Sequence, residues 1–126
     1  MNGAVTIMVV EDHPATLAAL LELLEAAFPR CALLAADGAE RALELCASSV
    51  PDVVIMDIAL SGMSGIDATL RIKALLPDTR VVMHSSYDMR VYREGAAAAG
   101  ASAFVRKGKV ASELVPVVAD LLAKGR

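Results

Sequence analysis

Five polar residues follow short apolar runs in this chain: Glu11 and Asp12 after 5–10, Asp57 after 53–56, Ser85 after 81–84, and Lys107 just past 101–105. Three carboxylates gathered in one place repel one another and cost stability unless a cation joins them. All the protein ligands on offer are oxygens, which suit a hard ion such as magnesium better than zinc. Glu11, Asp12 and Asp57 contribute −3, Lys107 +1 and a divalent ion +2, which sum to zero. Such a site can accept a phosphoryl group. A carboxylate attacks phosphorus and becomes an aspartyl phosphate when a metal and a cation offset the charge on the equatorial oxygens. Asp57 is the candidate nucleophile. Asp12 is placed to ligate the ion directly and Glu11 through water. Lys107 pairs with one phosphoryl oxygen, and Ser85 donates its hydroxyl to another and is drawn inward by it.

This chemistry needs elements that bring residues 11 to 107 together. Apolar runs of strand length alternate with stretches of helical period. The run 5–10 is apolar but for Thr6, as expected of a strand covered on both sheet faces. Pro14 suits a first helical position, and Leu17, Leu20, Leu21, Leu24 and Phe28 follow at helical spacing until Pro29. A second strand is expected over 31–36. Asp37 with Glu40 three residues on has the pattern of a capping box opening a helix to about residue 47. Strand 53–56 leads into a Gly- and Ser-containing loop, then Ser64 with Asp67 marks the start of a helix that Pro77 ends. Strand 81–84, helix 89–99, strand 101–105 and a helix from about 112 to 123 complete the count. Pro116 is expected to weaken or kink the first turn of that last helix.

Strict strand–helix alternation implies a parallel sheet with helices on both faces, because right-handed crossovers place them there. A small barrel would need eight such units. In open sheets of this class, functional groups collect at the carboxyl ends of the strands, where all five residues fall. At 126 residues the chain allows one domain, 1–126, with no room for a second.

Composition removes several other functions. The chain is 56% apolar with 3% aromatic residues and no Trp, which disfavours an aromatic platform for single-stranded bases. A net charge of −3 offers no footprint for a phosphate backbone or an anionic membrane, so this chain alone is not expected to bind nucleic acid. Cys31 and Cys46 form no C-x-x-C pair and read as free thiols of a reducing compartment. The first residues lack a basic leader and no apolar run reaches membrane length, so the expected location is the cytoplasm.

The residues Glu11-Asp12-His13-Pro14, then Asp57 to Gly65, then Ser85, then Lys107 resemble the receiver domain of two-component response regulators over essentially the whole chain. The spacings 85 − 57 = 28 and 107 − 85 = 22 fall where that family places its hydroxyl and its lysine. The segments Ser86-Tyr87-Asp88 and Gly100-Ala101-Ser102-Ala103-Phe104 are most similar to the NarL/LuxR-type branch.

That resemblance implies a flavodoxin-like α/β fold, with a doubly wound, five-stranded parallel sheet in the order 2-1-3-4-5. It implies that Asp57 takes its phosphoryl group from a phosphohistidine of a sensor histidine kinase. Magnesium, with manganese as a substitute, is then held by Glu11, Asp12, Asp57 and the backbone carbonyl of Ala59. Phe104 stands at the aromatic switch position, turning inward as Ser85 moves. Ala59, Ser86 and Tyr87 flank the phosphate and govern the access of water to it. The surface of the fourth helix, fifth strand and fifth helix is the family's output face, carrying Arg90, Arg93, Arg106 and Lys109 here, and is open to phosphorylation-linked homodimerisation. The implied role is a switch, not an enzyme, with gain and loss of the phosphoryl group at Asp57 as its only chemistry. Transcriptional output through a helix-turn-helix domain outside this chain is the first expectation. A stand-alone regulator or phosphorelay shuttle is the second.

Some residues depart from the family pattern. Leu60-Ser61 stands where Met-Pro is common, and Gly108 replaces a frequent proline after the lysine, which weighs against the cis bond often found there. A magnesium-dependent phosphatase usually has a second acid–base carboxylate two residues past the nucleophile, where this chain has Ala59. A flavin-binding relative of the fold needs a phosphate loop after strand one, which is absent from the sequence. His13 reads as a loop or helix-start residue. His84, one position before Ser85, reads as a half-buried packing residue on the opposite sheet face from the chemistry.

Overall fold

The computed structural model describes residues 4–86 and 90–124. Its strands are β1 (Thr6–Val10), β2 (Ala32–Ala36), β3 (Val53–Asp57), β4 (Arg80–Ser85) and β5 (Ala103–Arg106). Its helices are α1 (Pro14–Ala27), α2 (Ala39–Ser48), α3 (Gly65–Leu75), α4 (Arg90–Ala98) and α5 (Val110–Ala123), the last preceded by a 3₁₀ turn over Lys107–Lys109. The strands form one parallel sheet in the order β2-β1-β3-β4-β5. This is the expected flavodoxin-like order, with the reversal between β1 and β3 that opens a crevice at their carboxyl ends.

Side-chain alternation along the strands divides the core into two layers. Ile7, Val9, Val53, Ile55, Val82 and Val105 pack on one face with Leu20 and Leu24 of α1 and Leu114, Val118 and Leu121 of α5. Met8, Val10, Val54, Met56, Val81 and Met83 pack on the other with small residues of the remaining helices, among them Ala42, Ala68 and Ala96. Each fully buried aliphatic side chain contributes about 1.5–3 kcal/mol. The alanines let α2, α3 and α4 approach the sheet closely.

Four local expectations need correcting. Asp37 does not cap α2; Gly38 holds the N-cap position with no side-chain cap, and Ala42 donates to the Gly38 carbonyl. Ala39, the first helical residue, is fully buried, which sets the helix entry one residue later than a box built on Asp37 would need. β5 starts at Ala103 because the preceding residues finish α4: Gly100 takes φ +102, and the amides of Gly100 and Ala101 bond the carbonyls of Ala97 and Ala96. That left-handed exit favours glycine and closes the helix. α5 begins at Val110, so Pro116 lies past its first turn, on the exposed face, and the helix continues through it. The residue left without its i+4 donor is Ser112, which is exposed to water.

The Ser64 cap forms as expected, its hydroxyl accepting from the Asp67 amide at 3.1 Å. Both cysteines are free. Among the described residues there is no cis peptide bond, and no helix is long and apolar enough to cross a membrane.

Candidate functional site

The β1–β3 and β3–β4 registers build the site. Val10 lies opposite Met56, which brings Glu11 beside Asp57, and Asp57 lies opposite His84. Glu11 and Asp57 are both fully buried. Lys107, in the turn leaving β5, reaches between them: its Nζ lies 3.0 Å from Asp57 Oδ2 and 3.1 Å from Glu11 Oε1. The second Asp57 oxygen, Oδ1, accepts from the Ala59 amide at 3.0 Å.

Asp12 points outward from the same loop and accepts from both the amide and the hydroxyl of Ser61, each at 3.0 Å. The loop after Asp57 is thereby tied to the β1–α1 loop. Leu60-Ser61 is a useful departure here, since the Ser61 amide that Asp12 uses is a donor that proline lacks. Gly65 is also required by close approach: a Cβ at this position would lie 2.0 Å from the Asp57 carbonyl oxygen. The start of α3 is therefore seated directly on the backbone of the Asp57 loop.

His13 belongs to this group as well. Its Nδ1 lies 2.9 Å from Glu11 Oε2 and 3.2 Å from Asp12 Oδ1, and its amide donates to Glu11 Oε2 at 3.1 Å. Glu11, Asp12, His13 and Asp57 each offer a ligand atom within 4.8 Å of the others. From sequence His13 reads as a loop or helix-start residue, because a histidine just before a helix is common; its place directly after two candidate ligands is the signal that points to the site.

The charges bear on one another strongly. Burial pushes the Asp57 carboxyl above its ordinary range, with the Glu11 charge adding to the rise and Lys107 and the Ala59 amide partly opposing it. Burial acts the same way on Glu11, but hydrogen bonds from His13 and the adjacent charge of the Lys107 ammonium outweigh it and hold that carboxyl below its ordinary value. The Ser61 amide lowers Asp12. Hydrogen bonding to Glu11 raises His13. Burial disfavours the charged Lys107, yet Asp57 and Glu11 together raise it, so it stays a cation.

Two carboxylate oxygens, Glu11 Oε1 and Asp12 Oδ1, are buried without a hydrogen-bond partner. Each has one ion-pair contact, from Lys107 and His13 respectively, and acceptors with capacity left beside a clustered negative charge fit a hard divalent cation in a donor set that is mostly oxygen.

Ser85 ends β4 and is buried. Ser86 follows it and is exposed. Phe104 lies half-buried against the core layer of α2, α3 and α4, with the Arg93 guanidinium 4.8 Å from its ring centre. Tyr87 lies outside the described residues.

His84 differs from its expected position in both burial and orientation. It is fully buried. Directly paired residues of neighbouring parallel strands share a sheet face, so its pairing with Asp57 places both on the α1–α5 side. Its Nε2 lies 3.9 Å from Glu11 Oε1. Counting alternation from Ser85 misled, because that count took Ser85 to share the face of Asp57.

The family model described as the response regulator receiver domain matches residues 7–119. The chain belongs to this family. This receiver is 31% identical to the transcriptional regulatory protein MctR of Rhizobium johnstonii over 96% of its own length and 56% of the relative's. It thus spans about half the length of the curated regulators it matches. Among solved structures it is similar to a two-component response regulator of the LuxR family from Aurantimonas sp., with 33% identity and TM-score 0.89, covering 98% of this chain and 89% of the other. It is also similar to the signal receiver domain of NarL from Mycobacterium tuberculosis, with 31% identity and TM-score 0.85, covering 99% and 100%. The NarL/LuxR-type resemblance and the receiver fold agree with these findings.

Proposed function

We propose that this receiver is a phosphorylation-dependent cytoplasmic switch that accepts a phosphoryl group on Asp57 from a phosphohistidine of a sensor histidine kinase. The observation that carries this reading is the Lys107 bridge between two fully buried carboxylates, 3.0 Å from Asp57 and 3.1 Å from Glu11. A structural ion pair needs one carboxylate. Two that share one lysine, with Glu11 Oε1 and Asp12 Oδ1 buried and lacking aligned hydrogen bonds, make a place prepared for further positive charge.

Glu11, Asp12, Asp57 and the Ala59 carbonyl would hold Mg2+, with Mn2+ as a substitute. When bound, the ion neutralises charge on the phosphoryl oxygens and lowers the repulsion that opposes attack. The Ala59 amide and Lys107 orient the Asp57 carboxylate. One of its oxygens attacks phosphorus, a P–O bond forms, the P–N bond to the donor imidazole breaks, and the departing imidazole keeps the electron pair and is protonated. Lys107 follows the new charge onto a phosphoryl oxygen. Ser85, at the end of β4, donates its hydroxyl to another, and Phe104 on β5 responds by repacking. Ala59, Ser86 and Tyr87 set the access of water that later hydrolyses the acyl phosphate. The changed α4–β5–α5 surface acts on an output, transcription through a helix-turn-helix domain in the longer protein, or on a second receiver as a homodimer.

Incubation with acetyl phosphate and Mg2+, followed by intact mass measurement, tests the reading. The expected result is a gain of one phosphoryl group that chelation and Asp57→Asn both abolish. A mass gain that survives Asp57→Asn would overturn it.

A further inference from the structure

On the face of β4 that turns toward α1 and α5, Val82, two residues before His84, is fully buried in the apolar layer. Val105, paired with His84 across the β4–β5 ladder, is buried as well. An aliphatic side chain would satisfy such a position. His84 occupies it instead, with no exposed surface and neither ring nitrogen hydrogen-bonded. A buried polar group without a partner destabilises the state in which it is found, so a native one calls for a state in which it is satisfied.

The complementary group is at hand. Glu11 Oε1 is also buried without a hydrogen bond and lies 3.9 Å from His84 Nε2. The cation nearest that oxygen is Lys107, at 3.1 Å, and it is shared with Asp57. On the phosphorylation reading above, Lys107 turns toward the phosphoryl group, which would leave Glu11 Oε1 in need of a donor.

We propose that His84 is a positioning residue for the metal site, whose Nε2–H closes onto Glu11 Oε1 when Lys107 turns to the phosphoryl group. The inference rests on the phosphorylation reading above. The closing movement is under an ångström from 3.9 Å to hydrogen-bond distance. There is room for it: His84 lines a groove of about 480 Å³ between α1 and α5, together with Ala15, Ala19, Leu20, Leu23 and Ala111, so free volume lies on that side of the imidazole. An N–H donor behind Glu11 fixes the direction in which its carboxylate faces the ion. This is the relation in which a residue behind a ligand fixes its orientation and raises metal affinity.

Two variants and one spectrum test this. His84→Leu supplies an aliphatic side chain like those of Val82 and Val105 beside it, and His84→Gln restores an N–H donor. Mg2+ affinity is read by calorimetry in the presence of beryllofluoride, which stands in for the phosphoryl group, and by the Mg2+ concentration giving half-maximal acetyl phosphate labelling. His84→Leu is expected to fold, with an unchanged or raised melting temperature, and to weaken the Mg2+ response about tenfold. His84→Gln is expected to recover most of the loss. In wild type, the His84 ring N–H proton resonance is expected to move downfield when Mg2+ and beryllofluoride are added. An unchanged Mg2+ response in a folded His84→Leu, or a resonance that does not move, would overturn the proposal while wild type still labels. The spectrum decides the matter if the leucine variant fails to fold. Wild type that takes no phosphoryl group would instead sink the receiver reading itself.

Discussion

The two ends of the sheet carry similar polar residues in opposite states. At the amino-terminal end, Asp52 Oδ2 accepts from the Thr6 amide at 2.8 Å, Thr79 donates to the Pro51 carbonyl at 2.6 Å, and Lys73 bonds the carbonyls of Pro77 and Thr79. Each polar group there closes a turn or ties a strand to the next segment. At the carboxyl-terminal end, Glu11 and Asp57 are buried together, one lysine serves both, and Glu11 Oε1, Asp12 Oδ1 and both His84 nitrogens lack hydrogen bonds. The first arrangement is already satisfied. The second becomes satisfied only when more charge arrives, and this difference separates a structural polar cluster from a working one.

The most severe way to break the carboxyl-terminal end is Asp57→Asn, which is expected to abolish acetyl phosphate labelling. The matching change at the other end, Asp52→Asn, is expected to label at the wild-type rate and to cost about 1 kcal/mol in urea unfolding.

Gly65→Ala is next. Its Cβ meets the Asp57 carbonyl at 2.0 Å, and backbone cannot yield as a flexible side chain can, so a loss of about 3 kcal/mol is expected with impaired labelling. Gly108→Ala, which meets nothing within 4 Å, is expected to stay within about 0.5 kcal/mol of wild type.

Lys107→Ala removes the shared cation and leaves two buried carboxylates facing each other. A stability loss of about 3 kcal/mol at neutral pH is expected. Added Mg2+ should restore more of the melting temperature in this variant than it adds to wild type.

A smaller effect is the pH dependence of magnesium stabilisation. The folded pKa of Asp57 is raised above its ordinary 3.8, so the native state holds that proton more tightly. The contribution of Asp57 to stability therefore falls as pH rises from the unfolded pKa through the folded one. Glu11 and Asp12 are lowered from 4.5 and 3.8. They stabilise above those values, and the gain is lost as pH falls through their folded pKa values. Mg2+ at about ten times its Kd is expected to add about 1.4 kcal/mol at neutral pH, and much less at pH 4, where protons compete for the same oxygens. An effect independent of pH would place the ion elsewhere.

Much of this contrast was legible in the sequence, and the part that was not has a common cause. The apolar runs and helical spacings locate the five strands and five α-helices of the described residues, since burial imposes a period of two or 3.6 residues on the chain. Asp57, Asp12, Glu11 and Lys107 could be picked out because each follows an apolar run, and the structure brings these four together. Sheet order came only with the family resemblance, since no local pattern records which strands are neighbours. The errors at Asp37 and Ala101 arose where tertiary demands, the burial of Ala39 and the left-handed exit at Gly100, overrode local capping and strand signals. His84 was misplaced for the same reason: its face follows from pairing with Asp57, which is a property of the sheet and not of the segment 81–86.

The central claim is that charge at the carboxyl-terminal rim is organised around Asp57 as a phosphoryl acceptor. Borohydride reduction after labelling with acetyl phosphate and Mg2+ tests it most directly, because an aspartyl phosphate is reduced to homoserine at the modified residue and peptide mass spectrometry locates it. Homoserine at position 57 alone is the predicted result. Reduction at another carboxylate, or a labelled protein with no reducible acyl phosphate, would contradict it.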